Sequence, residues 1–223
     1  MPGRRPLVHR WLGRLGVAAL DRLPLPLAVV RPFMLVENAV ENARGGWERL
    51  REPVEADRYA AVRRALDRHA RGGFVLDLGC SQAILREGLD CRRYVGVDRH
   101  GPALARSRVA DEPGTTLVEA DVATFVPDAT PDAVVLNEVL YYLPHPVAVV
   151  ERYARLLGPD GVLVVCCYAR TWPTRRLLIR LRRRLELLGS ERVVVCHHAW
   201  DVAVLRARRT SDEGLVPEHD RQA

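Results

Sequence analysis

Apolar positions in the first fifty residues form two short helical stretches, separated by LPLPLAVVRP with its prolines at 24, 26 and 32. A clearer period begins at Pro53. In EADRYAAVRRALDRHA apolar residues stand at 59, 62 and 66 with charges between them. That spacing predicts a helix over Pro53–Arg71 with one narrow buried face, stopped by Gly72-Gly73. The pattern then changes to short apolar runs: FVLDL (74–78), YVGVD (94–98), TLVEAD (116–121), AVVLNE (133–138) and GVLVVCCY (161–168). They are rich in valine and leucine and barely alternate, as strands buried on both faces of a parallel sheet do.

Helical segments fall between the runs, notably at 102–110 and 146–157, and a basic amphipathic helix is predicted over 171–188 (TWPTRRLLIRLRRRLELL). Its leucines 177, 178, 181, 185 and 188 share one side. The βαβα rhythm argues for an open, doubly wound α/β fold. The closing runs RVVVCHHA and WDVAVLRA follow each other almost directly, so they must be antiparallel neighbours, since a parallel connection needs a crossover. The predicted architecture is a mostly parallel seven-stranded sheet with a C-terminal antiparallel hairpin.

Length adds a bound. The 223 residues suit one domain with a substantial core, here 53–209, preceded by a helical extension or cap over 1–52 and followed by a disordered tail over 210–223. The net charge of +6 is carried entirely by arginine, with no lysine. A coding bias accounts for this, and so does a phosphate-bearing partner suited to guanidinium forks. Five cysteines without C-x-x-C spacing or a secretory signal point to a reducing, cytoplasmic compartment. The apolar N-terminal stretch is interrupted by Asp21, Arg22, Pro24 and Pro26, too often to span a bilayer. His197 and His198 lack a third ligand at metal spacing, so no zinc site is expected.

In an open α/β sheet ligands bind beyond the carboxyl ends of the strands. There the sequence places Asp77, Gly79, Ser81 and Ala83 after the first run, then Asp98, Asp121 and Asn137-Glu138 after the next three. One acidic strand end is ordinary helix capping. Four in succession call for a ligand that donates hydroxyls and amines and carries positive charge. A dinucleotide would want a G-x-G-x-x-G cradle, and Asp77 would oppose its pyrophosphate.

Taken in order, VLDLGCSQAIL, YVGVD, VEADVATF, PDAVVLNEVLYYL and RLLGPDGVLVV resemble the class I S-adenosylmethionine-dependent methyltransferases over residues 55–168, about half the chain. NEVLYYL is similar to a bacterial subgroup that includes nodulation-factor N-methyltransferases. The resemblance implies a Rossmann-like methyltransferase fold with S-adenosylmethionine as cofactor. It implies that Asp77 and Gly79 shape the turn under the methionine part, lined by Ser81 and Ala83. Asp98 would take the ribose hydroxyls, Asp121 the adenine amine and the Val122 backbone a ring nitrogen. Asn137 would lie by the methionyl group, and Arg58 is placed where some relatives hold its carboxylate. Asp98→Ala is then expected to weaken the cofactor and leave folding intact.

Just past the fourth run, Glu138, Tyr142 and His145 are the candidates for receiving a proton from the methyl acceptor. The reading is a methyltransferase acting on an amine or hydroxyl of a sugar or secondary metabolite, with a homodimer allowed. Two alternatives stay open: an RNA methyltransferase, supported by the arginine surplus, and a non-catalytic binding protein, supported by Ala83 in the turn.

Overall fold

The computed structural model describes residues 25–208, apart from 45 and 170. The first of the two N-terminal stretches and the tail over 210–223 therefore lie outside the described residues. Helix α1 (Leu27–Arg44) and a 3-10 turn (Gly46–Arg51) lead into α2 (Pro53–His69). Then come β1 (Phe74–Leu78), β2 (Arg93–Asp98), α3 (Gly101–Leu104), β3 (Thr115–Glu119) and β4 (Ala133–Asn137). A 3-10 turn (Leu140–Tyr142), α4 (Pro146–Leu156), β5 (Val162–Tyr168), α5 (Trp172–Arg184), β6 (Glu186–Val195) and β7 (His198–Arg206) complete the chain.

The strands form one seven-stranded sheet in the order β3-β2-β1-β4-β5-β7-β6. Strands β1 to β5 pair in parallel, and β7 is antiparallel to both β5 and β6. This is the expected doubly wound sheet with its closing hairpin. Chain order reverses between β1 and β4, so the crevice beyond their carboxyl ends is the position where such sheets hold ligands.

The central strands are buried on both sides, which explains their unbroken apolar runs. On one face Leu76, Leu136, Leu163 and Val165 pack with Tyr153 of α4 and Leu177, Leu178 and Leu181 of α5. On the other, Val75, Val135, Val164 and Trp200 pack with Tyr59, Val62 and Leu66 of α2. Among the described residues no helix is long and apolar enough to cross a membrane.

Four expectations are corrected. The helix predicted over 102–110 is only one turn, Gly101–Leu104; the Ser107 hydroxyl accepts from the Val109 N–H at 3.3 Å, a local bond that competes with helix continuation. The helix predicted over 171–188 ends at Arg184, because Leu185 turns extended (φ −117°, ψ 158°) and Glu186–Leu188 open β6. Leu185 and Leu187 switch the period from helical to alternating. At the N-terminus Pro32 does not separate two helices but lies inside α1. β3 also stops at Glu119, two residues short of Asp121.

Candidate active site

The turn after β1 is built by hydrogen bonds to the end of β2. The N–H groups of Gly79 and Cys80 donate to the Val97 carbonyl at 2.7 and 3.2 Å, and the Ser81 N–H donates to Asp98 Oδ2 at 2.9 Å. Asp98 Oδ1 accepts the His100 N–H at 2.9 Å, so this one carboxylate fixes both the turn and the loop after β2. Gly79 is required twice over. Its φ is +77°, and a Cβ there would lie 2.5 Å from Val139 Cγ2.

The two positions where glycine is missing are the unexpected part. Ser81 (φ 52°) and Ala83 (φ 55°) both adopt the left-handed conformation, which costs an L-residue roughly 1–2 kcal/mol. The turn keeps a glycine-type backbone with non-glycine residues in it. Glu138, at the end of β4, is a third such residue (φ 60°). Non-glycine strain of this kind concentrates at functional sites.

Asp77 is enclosed, 2% exposed, at the base of the turn. Its Oδ2 accepts the Tyr94 hydroxyl at 2.6 Å, and its Oδ1 is buried without a partner. Burial is the main influence and pushes its pKa up to about 7, with Asp98 adding to the rise and the Tyr94 bond and Arg58 opposing it. Burial likewise raises the Glu138 carboxyl, against the pull of Arg58, the Tyr141 hydroxyl and the Tyr168 N–H. Glu138 Oε1 is also buried and unpartnered. Two buried carboxyl oxygens thus lie without partners, one on β1 and one just past the end of its neighbour β4.

Arg58 is enclosed, and its guanidinium is occupied by protein partners. It is 1% exposed, donates to Glu55 Oε2 at 2.8 Å and to Asn137 Oδ1, and lies over the rings of Tyr59 (4.3 Å) and Trp200 (5.9 Å). Burial works against its charge, and the surrounding groups more than offset this, so the guanidinium stays charged. Asn137 is thereby fixed at the strand end by a cation beneath it.

On the far side, Asp121 is exposed and its Oδ1 accepts the Ala123 N–H at 2.7 Å, while Val122 is buried. The Tyr153 hydroxyl of α4 bonds the carbonyls of Val122 (2.8 Å) and Phe125 (2.9 Å), and Arg152 donates to those of Ala123, Thr124 and Phe125. This loop is clamped from behind. The three acceptor-side candidates separate. Glu138 is half-buried beside Arg58, and Tyr142 is half-buried with its ring 4.8 Å from that of Tyr141. His145 is exposed at the start of α4, on a hollow of about 300 Å³ whose walls include Glu151, Arg180 and Arg184 but none of the strand-end residues.

Several contributors escaped the sequence reading. Tyr94 holds Asp77, and Trp200 and Tyr59 enclose Arg58. Gln82, 4% exposed within the turn, accepts from Arg51 Nε at 3.2 Å and keeps its buried Nε2 unpartnered. Its place inside the turn was the one signal available. His198 lies at the start of β7, stacked on Trp200 at 5.6 Å and near Tyr168 at 6.2 Å. Among the described residues no cluster of three or more His, Cys, Asp or Glu could hold a metal.

Comparison with known proteins adds a family. A profile described as a methyltransferase domain matches residues 47–204. Trans-aconitate 2-methyltransferase of Methylobacterium nodulans is 38% identical over 95 residues, covering 41% of this chain and 36% of the relative. That of Escherichia coli O139:H28 is 30% identical over 139 residues, covering 60% and 49%. The chain thus spans less than half the length of either relative. The N-methyltransferase NodS of Bradyrhizobium japonicum WM9, solved with S-adenosyl-L-homocysteine, shares the fold (TM-score 0.63, 22% identity, 72% of this chain and 91% of that one). So does the [4+2]-cyclase SpnF (TM-score 0.56, 15% identity, 66% and 80%).

Proposed function

The chain belongs to the methyltransferase-domain family, and from that premise we propose that it moves a methyl group from S-adenosylmethionine to an amine or hydroxyl of a small molecule. One observation carries the reading: Asp77, Asp98, Asn137 and Glu138 line the ends of three adjacent strands, with Asp77 Oδ1 and Glu138 Oε1 bare. Such an edge favours a cationic, hydroxyl-rich ligand and repels a pyrophosphate. The donor set fits the cofactor, whose sulfonium supplies an already activated methyl group.

In this reading Asp98 receives the ribose hydroxyls on its remaining lone pairs, each charge-assisted bond contributing roughly 1.5–3 kcal/mol. Asp121 and the Val122 N–H receive the adenine. Gly79, Ser81 and Ala83 form the floor under the methionyl part, beside Asp77. Arg58 acts through Asn137, fixing that amide at the methionyl end. The protein's main task is then to bring acceptor and methyl to about 3–3.5 Å. Glu138, with its raised pKa, is placed to take the proton from a hydroxyl or ammonium acceptor, and Tyr142 borders the same strand end. His145 stands apart from the strand ends, on its own hollow, and is assigned no proton-transfer role.

A small-molecule acceptor is favoured by the relatives' names, one set for trans-aconitate and one structure for an N-methyltransferase. Titration calorimetry with S-adenosylmethionine tests the proposal, and no binding at millimolar ligand would sink it. The cyclase neighbour shows that the fold also hosts other chemistry, so binding without methyl transfer to amines, hydroxyls, carboxylates such as trans-aconitate, or RNA would favour a non-methylating role. Asp98→Ala should weaken the cofactor at least tenfold. Contrary to the expectation from sequence, it should also lower stability, because Asp98 anchors Ser81 and His100.

A further inference from the structure

The strand-end carboxylates suit every part of the proposed cofactor except one. Asp77, Asp98 and Glu138 offer oxygens to its hydroxyls and cationic centres, whereas its own carboxylate needs hydrogen-bond donors. Arg58, placed there by the family resemblance, directs Nε to Glu55 and Nη1 to Asn137 and lies over the rings of Tyr59 and Trp200. In the turn after β1 the N–H groups of Gly79, Cys80, Ser81 and Ala83 all have acceptors within the protein.

Gln82 supplies what these groups lack. It lies between the left-handed residues Ser81 and Ala83 and is 4% exposed. Its Oε1 accepts from Arg51 Nε at 3.2 Å, and Arg51 Nη2 stands 2.7 Å from Glu87 Oε1. A guanidinium has donors only, so the amide oxygen must face Arg51 and the amide NH2 points away from it. That Nε2 is buried and meets no acceptor of the protein. A buried amide donor without a partner is costly, and an acceptor on a ligand relieves the cost. Arg51 ends the Gly46–Arg51 turn that leads into α2, and α2 in turn carries Arg58 to Asn137 at the end of β4. The amide therefore sits where the N-terminal segment meets the turn after β1. On the S-adenosylmethionine reading given above, we propose that Gln82 Nε2 donates to the carboxylate of the cofactor's methionyl group and selects for ligands that carry it. Arg51 is a positioning residue, fixing which way the amide points.

Titration calorimetry of the full chain with two probes, S-adenosylmethionine and its decarboxylated analogue, tests the assignment. The two share adenosine, sulfonium and amine and differ in the carboxylate alone. The unsubstituted chain should prefer S-adenosylmethionine by about tenfold or more, the worth of one hydrogen bond to a charged group. Gln82→Met removes the amide at similar volume. It should weaken S-adenosylmethionine about tenfold and the analogue by less than about threefold. Gln82→Glu keeps an oxygen for Arg51 and puts a carboxylate where the donor was, so it should reverse the preference. Arg51→Leu should lose part of the preference, and Arg51→Lys, which still donates to Oε1, should retain it. The ratio of two affinities measured on one preparation does not depend on how much of a variant is unfolded. Equal loss of both ligands in Gln82→Met would overturn the proposal, leaving Gln82 a support of the turn. A preference unchanged by Gln82→Met, or absent from the unsubstituted chain, would overturn it as well while the methyl-donor reading stands. Binding of neither ligand by the unsubstituted chain would sink that reading, and the Gln82 assignment with it.

Discussion

Asp77 ends β1 fully enclosed, with one oxygen on the Tyr94 hydroxyl and the other bare. Burial raises its pKa to about 7, from an ordinary value near 4. Between those values the folded protein holds a proton that the unfolded chain has lost, so this residue makes stability fall as pH rises from about 4 to 7. Asp77→Asn should remove that slope while keeping an acceptor for Tyr94. The variant's stability advantage should grow across this window by up to about 4 kcal/mol, measured by urea unfolding at a series of pH values. Parallel curves for the two proteins would refute the assignment. At Ser81 the argument concerns backbone. A left-handed serine costs more than the chain entropy that glycine adds, so Ser81→Gly should gain roughly 0.5–1 kcal/mol. A raised urea midpoint is the expected result; a loss of similar size would mean that the Ser81 side chain holds the turn. The sequence made the acidic strand ends legible, because strand termini can be counted. It concealed the strain at Ser81 and Ala83 and the burial of Arg58, since positive φ leaves no mark on a serine or alanine and a charge on a helix reads as solvated until Tyr59 and Trp200 are seen around it.

At the scale of elements, α4 secures the β3–β4 loop through the Tyr153 hydroxyl, which bonds the carbonyls of Val122 and Phe125. Tyr153→Phe keeps the buried ring and leaves Val122 O without that donor, which should cost about 1–2 kcal/mol. Because Val122 belongs to the proposed adenine wall, cofactor affinity should drop several-fold as well. Calorimetry and thermal unfolding of the same preparation check both, and lost stability with unchanged affinity would remove the loop from the cofactor site. The strands were readable from sequence because burial on both faces leaves an uninterrupted apolar run. Helix ends were less readable. The segment over 102–110 has helical composition, yet Ser107 bonds its own neighbourhood and the helix stops after one turn. At Leu185 the leucines continue while their period changes, so counting apolar residues overran the helix by one turn.

For the whole molecule, the decisive quantity is where the +6 charge resides. Much of the arginine is spent locally: Arg51 pairs with Glu87, Arg86 with Glu112, Arg93 with Asp128, Arg192 with Asp201 and Arg206 with Glu186. Helix α5 is different, with Arg175, Arg180 and Arg183 exposed and its leucines in the core. A phosphate-bearing partner would bind there, and a solvated face would bind nothing. The strand-end carboxylates are taken up by the proposed cofactor, and the small acceptor proposed above leaves this face no phosphate-bearing partner, so the expectation is a solvated face. Arg175→Gln with Arg183→Gln should change stability by no more than about 0.5 kcal/mol and leave S-adenosylmethionine affinity as it was. Each phosphate contact removed would lower the salt dependence of RNA binding by about one unit of log–log slope. The measurement is RNA retention between about 50 and 200 mM salt, together with methyl incorporation into RNA. Weak retention without incorporation is expected. Incorporation that falls when the two arginines are replaced would make this surface the acceptor site and turn the small-molecule reading into an RNA one.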